Sequence, residues 1–551
     1  MEKLQPMLIS CLREYSGAQF IKDLVAGIIV AIIALPLSIA LALASGVSPE
    51  QGIYTAIVAG FVISVLGGSQ VQIAGPTAAF ATIVAGIVAR SGIDGLIVAT
   101  VIAGIILIVM GLCHFGTLIK FIPFTITTGF TAGIAMTIVI GQLKDFFGVT
   151  YPVGMATVET MEKLRAFFAG FSSFSWDAIL VGIVCLVIQM LSPRLTEKIP
   201  GSLLAVIAGI LMVKLLPLNV NTIGDLYTLS NKLPSFHLPN VNYEIISASL
   251  SDGFTIAILA AIESLLSCVV ADGMVGGKHR SNMELIAQGA GNIASAVFGG
   301  IPATGAIART AANIKNGGRT PIAGIIHSLT LVLILVVLMP YAGWIPMPTI
   351  AAILFMVAYN MCGWRTFAHL VRTAPRSDVA VLIITFILTV VFDLVIAIEV
   401  GMLLACLLFI KRMSDETSVR GWQRAGEDAP DHDELMNIPH TVSVFEITGP
   451  LFFGAAVQIS QIVVTEKTRC LILRMRGVPA LDSTAMNAMI GLYQKCRKAN
   501  ITLVLSHVNE QPMRAMRRAG FVDMIGSENF CDHISSAISR AEEIVGEKIN
   551  G

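Results

Sequence analysis

Two stretches decide how this chain reads: Ala74-Gly75-Pro76-Thr77-Ala78-Ala79-Phe80 and Ile301-Pro302-Ala303-Thr304-Gly305-Ala306-Ile307-Ala308-Arg309. Each joins Gly, Pro and Thr at the start of an apolar, helix-like run. A break of this kind at membrane depth leaves backbone N–H groups unpaired, and it is tolerated only where protein buries it or it lines a polar cavity. Two such breaks in corresponding halves of a membrane chain point to a carrier's binding site. The second ends in Arg309, so the implied ligand is an anion.

The sequence around these stretches is that of a membrane protein. Of 551 residues, 55% are hydrophobic and 13% charged, about half the charged share of an average soluble domain. The charge is uneven. Residues 1–412 hold 22 Lys+Arg and 19 Asp+Glu, about a tenth of that part; residues 413–551 hold 14 and 17, about a fifth. We therefore read a membrane domain over 1–412, a polar linker over 413–437 and a soluble domain over 438–551. The formal net charge of +0 gives no sign of nucleic-acid binding. Nine scattered cysteines without a C-x-x-C pair argue against a disulfide framework or a structural zinc site. No phosphate-binding loop or catalytic triad stands out, so neither an enzyme nor a cofactor is expected. The first 20 residues lack the long apolar core of a signal peptide and read as an amphipathic lead-in.

Apolar segments begin near residues 24, 52, 74, 95, 121, 134, 178, 200, 253, 284, 303, 320, 348 and 379, and a last one reaches Phe409. That makes about fourteen membrane elements, with competing readings over 121–147. Lys411 and Arg412 close the last run, which favours a cytoplasmic C-terminal end. After the linker the period changes. Thr441–Ile447, Cys470–Met475 and Ile501–Ser506 read as strands, Ser483–Ala499 and Gln511–Ala519 as helices. This alternation predicts a small α/β domain.

Several segments resemble the SulP family of sulfate permeases and related anion transporters: Ala34-Leu35-Pro36, Gly52-Ile53-Tyr54, Gly75-Pro76-Thr77, Glu263-Ser264-Leu265-Leu266-Ser267, Gly289-Ala290-Gly291-Asn292, Asn313 to Thr320, and Gly449-Pro450-Leu451-Phe452-Phe453. The tail resembles a STAS domain, and the likeness runs from about Gln19 to about Ala541. The resemblance implies a helical membrane domain of two inverted seven-helix repeats, followed by a small soluble α/β STAS domain. In that fold the third and tenth elements are half-helices whose N-termini face each other. Each N-terminus offers free N–H donors and about half a positive charge, so the pair makes an anion site. The expected substrate-binding set is Gly75, Pro76, Thr77, Ala78, Thr304, Gly305, Ala306 and Arg309. Thr77 and Thr304 should lie close together although far apart in sequence.

Single residues carry alternatives. Arg309, the only charged residue between Glu284 and Lys315, is a functional candidate by its depth, or a structural arginine paired with a buried carboxylate or snorkelling to the interface. Glu263, with Ser264 and Ser267 near it, is a candidate proton carrier or sodium ligand, because burial and a nearby cation act on it in opposite senses; the alternative is a fixed ion pair. Sodium-coupled relatives place an acidic residue and hydroxyls here, so Glu263 and Ser267 form the coupling-ion set. Asp393 and Glu399 are expected at helix ends or a re-entrant bend. His114 and His327 read as satisfied helix residues rather than metal ligands, and no metal site is expected. Asp482 or Ser483 caps the following helix; Ser483 also matches a site phosphorylated in bacterial signalling relatives of the STAS domain.

Many sulfate-carrying members follow the proline of the first helix with Gln, whereas here Leu37 follows Pro36. A C4-dicarboxylate or bicarbonate thus stays open beside sulfate. The reading is a secondary anion carrier of the inner membrane working by alternating access, with proton symport preferred over sodium symport or exchange. A homodimer and a cytoplasmic STAS domain with a possible partner go with it. The rival is a membrane anchor for a STAS signalling module.

Overall fold

The computed structural model describes residues 4–546 except 14, 118–122, 156, 158, 196–199, 237–238, 240–241, 393, 422–437, 439–440, 455, 461 and 463–466. The chain divides into two compact units, Met1–Met402 and Leu403–Gly551.

The first unit is a helical bundle. Among the described residues, eight helical segments are long and apolar enough to cross a membrane: Gly17–Ala44, Pro49–Leu66, Ala78–Leu112, Phe124–Phe147, Trp176–Arg194, Tyr243–Val275, Ile322–Ala342 and Met347–Thr373, the last broken at Gly363 (φ +54) into helices Met347–Cys362 and Trp364–Thr373. The competing readings over 121–147 resolve into the single helix Phe124–Phe147, which ends on Gly148 at φ +62, a left-handed C-cap suited to glycine. Helix Ala78–Leu112 contains the two elements expected from 74 and 95. They meet at Gly92, whose φ of +67 and ψ of −169 break the helical path.

Small residues bring the elements behind the two breaks together. A β-carbon on Gly289 would lie 2.4 Å from the Gly104 carbonyl, and one on Gly104 would lie 2.7 Å from the Gly289 carbonyl. Only glycine on both sides lets helix Ser281–Val297 lie this close to Ala78–Leu112. Without an aqueous hydrophobic drive between lipid-embedded helices, such close packing is what holds the bundle.

The second unit contains a five-stranded sheet in the order β3 (Ser418–Gly421), β4 (Val442–Thr448), β5 (Cys470–Gly477), β6 (Thr502–Ser506), β7 (Phe530–Cys531), in which only the β3–β4 pair is antiparallel. Alternate residues serve opposite faces, as a strand requires. Leu471, Leu473, Leu503 and Leu505 pack with Ala485, Met489 and Leu492 of helix Ser483–Lys498, while Val444, Ile472 and Val504 pack with Ile534 and Ala537 of helix Ile534–Val545. A parallel sheet covered on both faces is the expected outcome for such continuous apolar strands. β3 lies in the stretch read as linker; residues 422–437 fall outside the described residues. Asp482 caps helix Ser483–Lys498, its Oδ1 accepting the Ala485 N–H at 2.8 Å, and Ser483 is exposed in the first turn.

Two smaller expectations change. His114 is not helical: it has a φ of +60 and its Nδ1 lies 3.2 Å from Asn282 Nδ2. His327 is helical, but it is fully buried with no hydrogen-bond partner for either ring nitrogen. Asp393 lies outside the described residues, and Glu399 is exposed within helix Leu394–Glu416 rather than at its end.

Candidate functional site

The two breaks meet. β1 (Ala74–Gly75) pairs antiparallel with β2 (Thr304–Gly305), with Ala74 opposite Gly305 and Gly75 opposite Thr304. Extended backbone ends at Thr77 and at Ala306, and a helix starts after each, at Ala78 and at Ile307. Their first-turn N–H groups have no intrahelical acceptors. Thr304 thus pairs with Gly75, two residues before Thr77, although 227 positions separate the two threonines in sequence. Strand pairing satisfies the broken backbone on one side and leaves a helix start on the other side of each break.

Arg309 stands in the first turn after the second break. It is 1% exposed. Its Nη2 donates to the Pro76 carbonyl at 3.0 Å and to Ser38 Oγ at 3.4 Å. Its Nε and Nη1 have no hydrogen-bond partner among the described residues. No ion pair joins it to a carboxylate among the described residues, so the structural alternative, a fixed buried pair, is not what this arrangement shows. Gly75 makes room for it: a β-carbon there would lie 2.2 Å from Nη1. A guanidinium with two donors unspent, held by one break against the other, adds a full charge to two partial ones.

Helix Tyr243–Val275 runs past both breaks. Thr304 Oγ1 donates to the Ala260 carbonyl at 3.2 Å, and Thr77 Oγ1 donates to Glu263 Oε2 at 3.0 Å. Ala260, Glu263 and Ser267 follow at i, i+3 and i+7, one face of the helix. Ser267 Oγ is buried without a hydrogen-bond partner among the described residues. Glu263 is half-buried, and its one bond goes to a neutral hydroxyl of the first break. Ala306 is half-buried and Ile307 and Ala308 are exposed, so the second helix start opens outward from the pairing.

Sequence reasoning missed the polar frame behind the breaks. Glu284, fully buried, accepts four hydrogen bonds from neutral donors: Gly68 N at 2.9 Å, Gln72 Nε2 at 2.7 Å, Ser264 Oγ at 3.3 Å and Gln288 Nε2 at 2.8 Å. Gln72 also donates to Ser264 Oγ and accepts from Cys268 Sγ, and Gly305 leaves the space that Gln72 fills, since a β-carbon there would lie 2.2 Å from Nε2. Ser264 therefore belongs to this frame and not to the face of Glu263. On the second break, Asn292 accepts from Ala303 N and donates to the Ala303 carbonyl, both at 2.8 Å. Thr310 Oγ1 accepts from Ile73 N and Ala306 N donates to the Ile73 carbonyl, tying each break to the other. The signal available was Asn292 at the end of the Gly289 to Asn292 motif, and Glu284 as a lone acid at the start of an apolar run.

Comparison with known proteins gives the following. The profile of the Sulfate permease family matches residues 20–385, and that of the STAS domain matches 435–537. YvdB of Bacillus subtilis (strain 168) is 38% identical over 528 residues, covering 94% of this chain and 97% of that protein. The bicarbonate transporter BicA of Picosynechococcus sp. is 28% identical over 457 residues, 80% of each chain. Among solved structures, the transmembrane domain of a cyanobacterial BicA has a TM-score of 0.63 at 29% identity, over 70% of this chain and 98% of that one. The murine anion transporter Slc26a9 has a TM-score of 0.86 over 98% of this chain and 94% of that one; at 18% identity this likeness concerns the fold alone.

Proposed function

This chain belongs to the sulfate permease family, and we propose that it carries a small anion at the junction of β1 and β2, by alternating access. The observation behind this reading is Arg309: buried between two helix starts, with Nε and Nη1 unpaired. Such donors suit an oxyanion, and the N–H groups of the first turns add to them. The ligand set we assign is Thr77, Ala78, Ala306 and Arg309, with Gly75, Pro76, Thr304 and Gly305 shaping the backbone. Sulfate, bicarbonate and a C4-dicarboxylate all fit donors of this kind. The family description favours sulfate, the relationship to BicA favours bicarbonate, and Leu37 after Pro36 weakens the sulfate reading. The carrier is placed in the inner membrane as a homodimer with its STAS domain in the cytoplasm, where Ser483 is exposed for modification.

Coupling runs through Glu263 in this proposal. A carboxylate bonded only to Thr77 can take a proton, and an anion arriving nearby favours that proton. Proton and anion binding then reinforce each other reciprocally. Sodium symport is the second reading, supported by Ser267 Oγ, an unpaired buried oxygen one turn from Glu263. The deciding experiment is uptake of labelled sulfate, bicarbonate and succinate into proteoliposomes under imposed proton or sodium gradients. Uptake of one anion driven by a pH gradient is expected. Drive by sodium alone would replace the proton reading. Accumulation of none of the three would sink the carrier reading for these anions.

A further inference from the structure

We propose that the helix Trp364–Thr373 and the groove beside it form a binding site for one anionic phospholipid, its phosphodiester headgroup on Arg365, Arg372 and Arg376 and an acyl chain in the groove. The site lies away from the breaks and does not depend on what the carrier transports.

The helix sequence divides cleanly. Trp364, Phe367, Ala368 and Val371 recur at i, i+3, i+4 and i+7, while Arg365, His369 and Arg372 recur at i, i+4 and i+7 on another face. No residue of the helix is buried. A short helix with an apolar stripe and a basic stripe lies in the plane of a membrane interface. The charge on the helix itself is positive: from Leu285 to Ser377 the sequence contains no Asp or Glu, and Asp378, next in the chain, accepts from Ser377 Oγ at 3.2 Å. Arg365, Arg372 and Arg376 are exposed, and none has an acidic partner among the described residues.

The groove supplies the second half of the site. It has a volume of about 850 Å³ and lies between helices Phe124–Phe147, Trp176–Leu195, Met347–Cys362 and Arg376–Val391. Met136, Leu186, Phe355, Trp364, Phe367 and Phe386 are among its walls. The apolar face of the short helix thus becomes part of the groove wall, and the Phe367 and Phe386 rings pack 5.6 Å apart. At the lip, Trp364 Nε1 donates to Tyr359 Oη at 3.2 Å, and the Arg365 guanidinium lies 5.5 Å from the Trp364 ring. Aromatic residues with one polar end sit at the headgroup level of a bilayer. An apolar slot with Tyr359 and Trp364 at its lip and the Arg365 guanidinium beside the Trp364 ring is complementary to an anionic amphiphile. A second copy of this chain does not fit as well: a two-fold contact there would set the same cationic rim against itself. Free phosphate would meet the arginines and leave the slot unfilled.

The test uses the purified full chain, delipidated in detergent, with retained lipid counted by native mass spectrometry. Phosphatidylglycerol, phosphatidylcholine of matched chains, and sodium phosphate are offered separately. Each basic residue near an anionic lipid contributes roughly a fivefold preference. We expect phosphatidylglycerol to be retained about tenfold or more over phosphatidylcholine, with no phosphate adduct. The triple variant Arg365→Gln, Arg372→Gln, Arg376→Gln should lose that preference, and the corresponding triple Lys variant should keep it. Equal retention of the two lipids by the unaltered chain overturns the proposal, and this arm needs no variant to fold. A preference that survives the triple Gln variant also overturns it, as does a phosphate adduct without a lipid preference.

Discussion

The two breaks have the same backbone and different side chains. Each is a two-residue strand followed by a helix start, and each uses a glycine to admit a neighbouring side chain: Gly75 admits Arg309, Gly305 admits Gln72. The first break is uncharged, and its Thr77 reaches an acid on helix Tyr243–Val275. The second carries Arg309, which reaches back to the Pro76 carbonyl of the first. The symmetric part is made of backbone donors, which in the proposed function take the anion. The asymmetric part gives the positive charge to one break and the titratable acid to the other. A site with this division can couple two ligands of opposite charge without an ion pair of its own.

The largest effect expected from the comparison lies in the supports. The first break rests on a network, in which Gln72 is one of four donors to Glu284. The second rests on Asn292, which satisfies both the N–H and the carbonyl of Ala303. Asn292→Ala leaves two buried backbone groups unpaired, at a cost of about 2–6 kcal/mol. Gln72→Ala leaves Glu284 three donors, at about 1–3 kcal/mol. Thermal unfolding in detergent should rank Asn292→Ala below Gln72→Ala. The reverse ranking would show that the frame around Glu284, not Asn292, is the weaker point.

Arg309→Ala comes next. Hydrogen bonds to a charged group contribute about 1.5–3 kcal/mol, so apparent anion affinity should fall roughly 10- to 100-fold with protein abundance near normal. Thr77→Val, on the uncharged break, should cost less. Uptake at low substrate concentration reads both. Unchanged affinity in Arg309→Ala would remove it from the site and leave the backbone donors alone.

A smaller effect is expected at Glu263. Uptake should accelerate at acidic external pH in the unaltered protein, and Glu263→Gln should lose that acceleration while still binding the anion. The sign follows from the coupling: a lower pH loads the proton, and the loaded proton favours the anion. Acceleration that persists in Glu263→Gln would move the proton elsewhere. If a trans anion drives uptake and neither gradient does, the protein is an exchanger.

The sequence showed the parts of this site that follow from composition and punctuation. Gly-Pro-Thr before an apolar run marked both breaks, Arg309 stood out by its isolation, and the change of period after the linker marked β4, β5 and β6 with their helices. What escaped depends on partners far away along the chain. Gln72 meets Glu284 across 212 residues and Ser264 across 192, and a lone Gln in an apolar stretch has no period to betray it. β3 and β7 are short strands at the two edges of the sheet, where few side chains need an apolar pattern. His327 read as satisfied because a buried polar group normally is, and here no acceptor or donor reaches it.

The smallest effect should come from the second unit. The strands β3 to β7 enclose a core of their own, and the helices on its two faces bury Met489 and Leu492 on one side and Ile534 and Ala537 on the other. A unit with its own core folds without help from the bundle; it begins at Leu403, so a cut at 438 removes four of its five strands and leaves β3 without its partner. Removing residues 438–551 should therefore leave a folded, inserted bundle with reduced or deregulated uptake. The contrast between the breaks should survive the deletion: in the truncated protein, Arg309→Ala should still weaken affinity and Glu263→Gln should still abolish acid acceleration. Size-exclusion chromatography, a thermal unfolding curve and uptake on the truncated protein test this together. If the truncated bundle is folded and inserted yet transports nothing, the STAS domain is part of the carrier, and the division of charge between the two breaks is not sufficient for coupling.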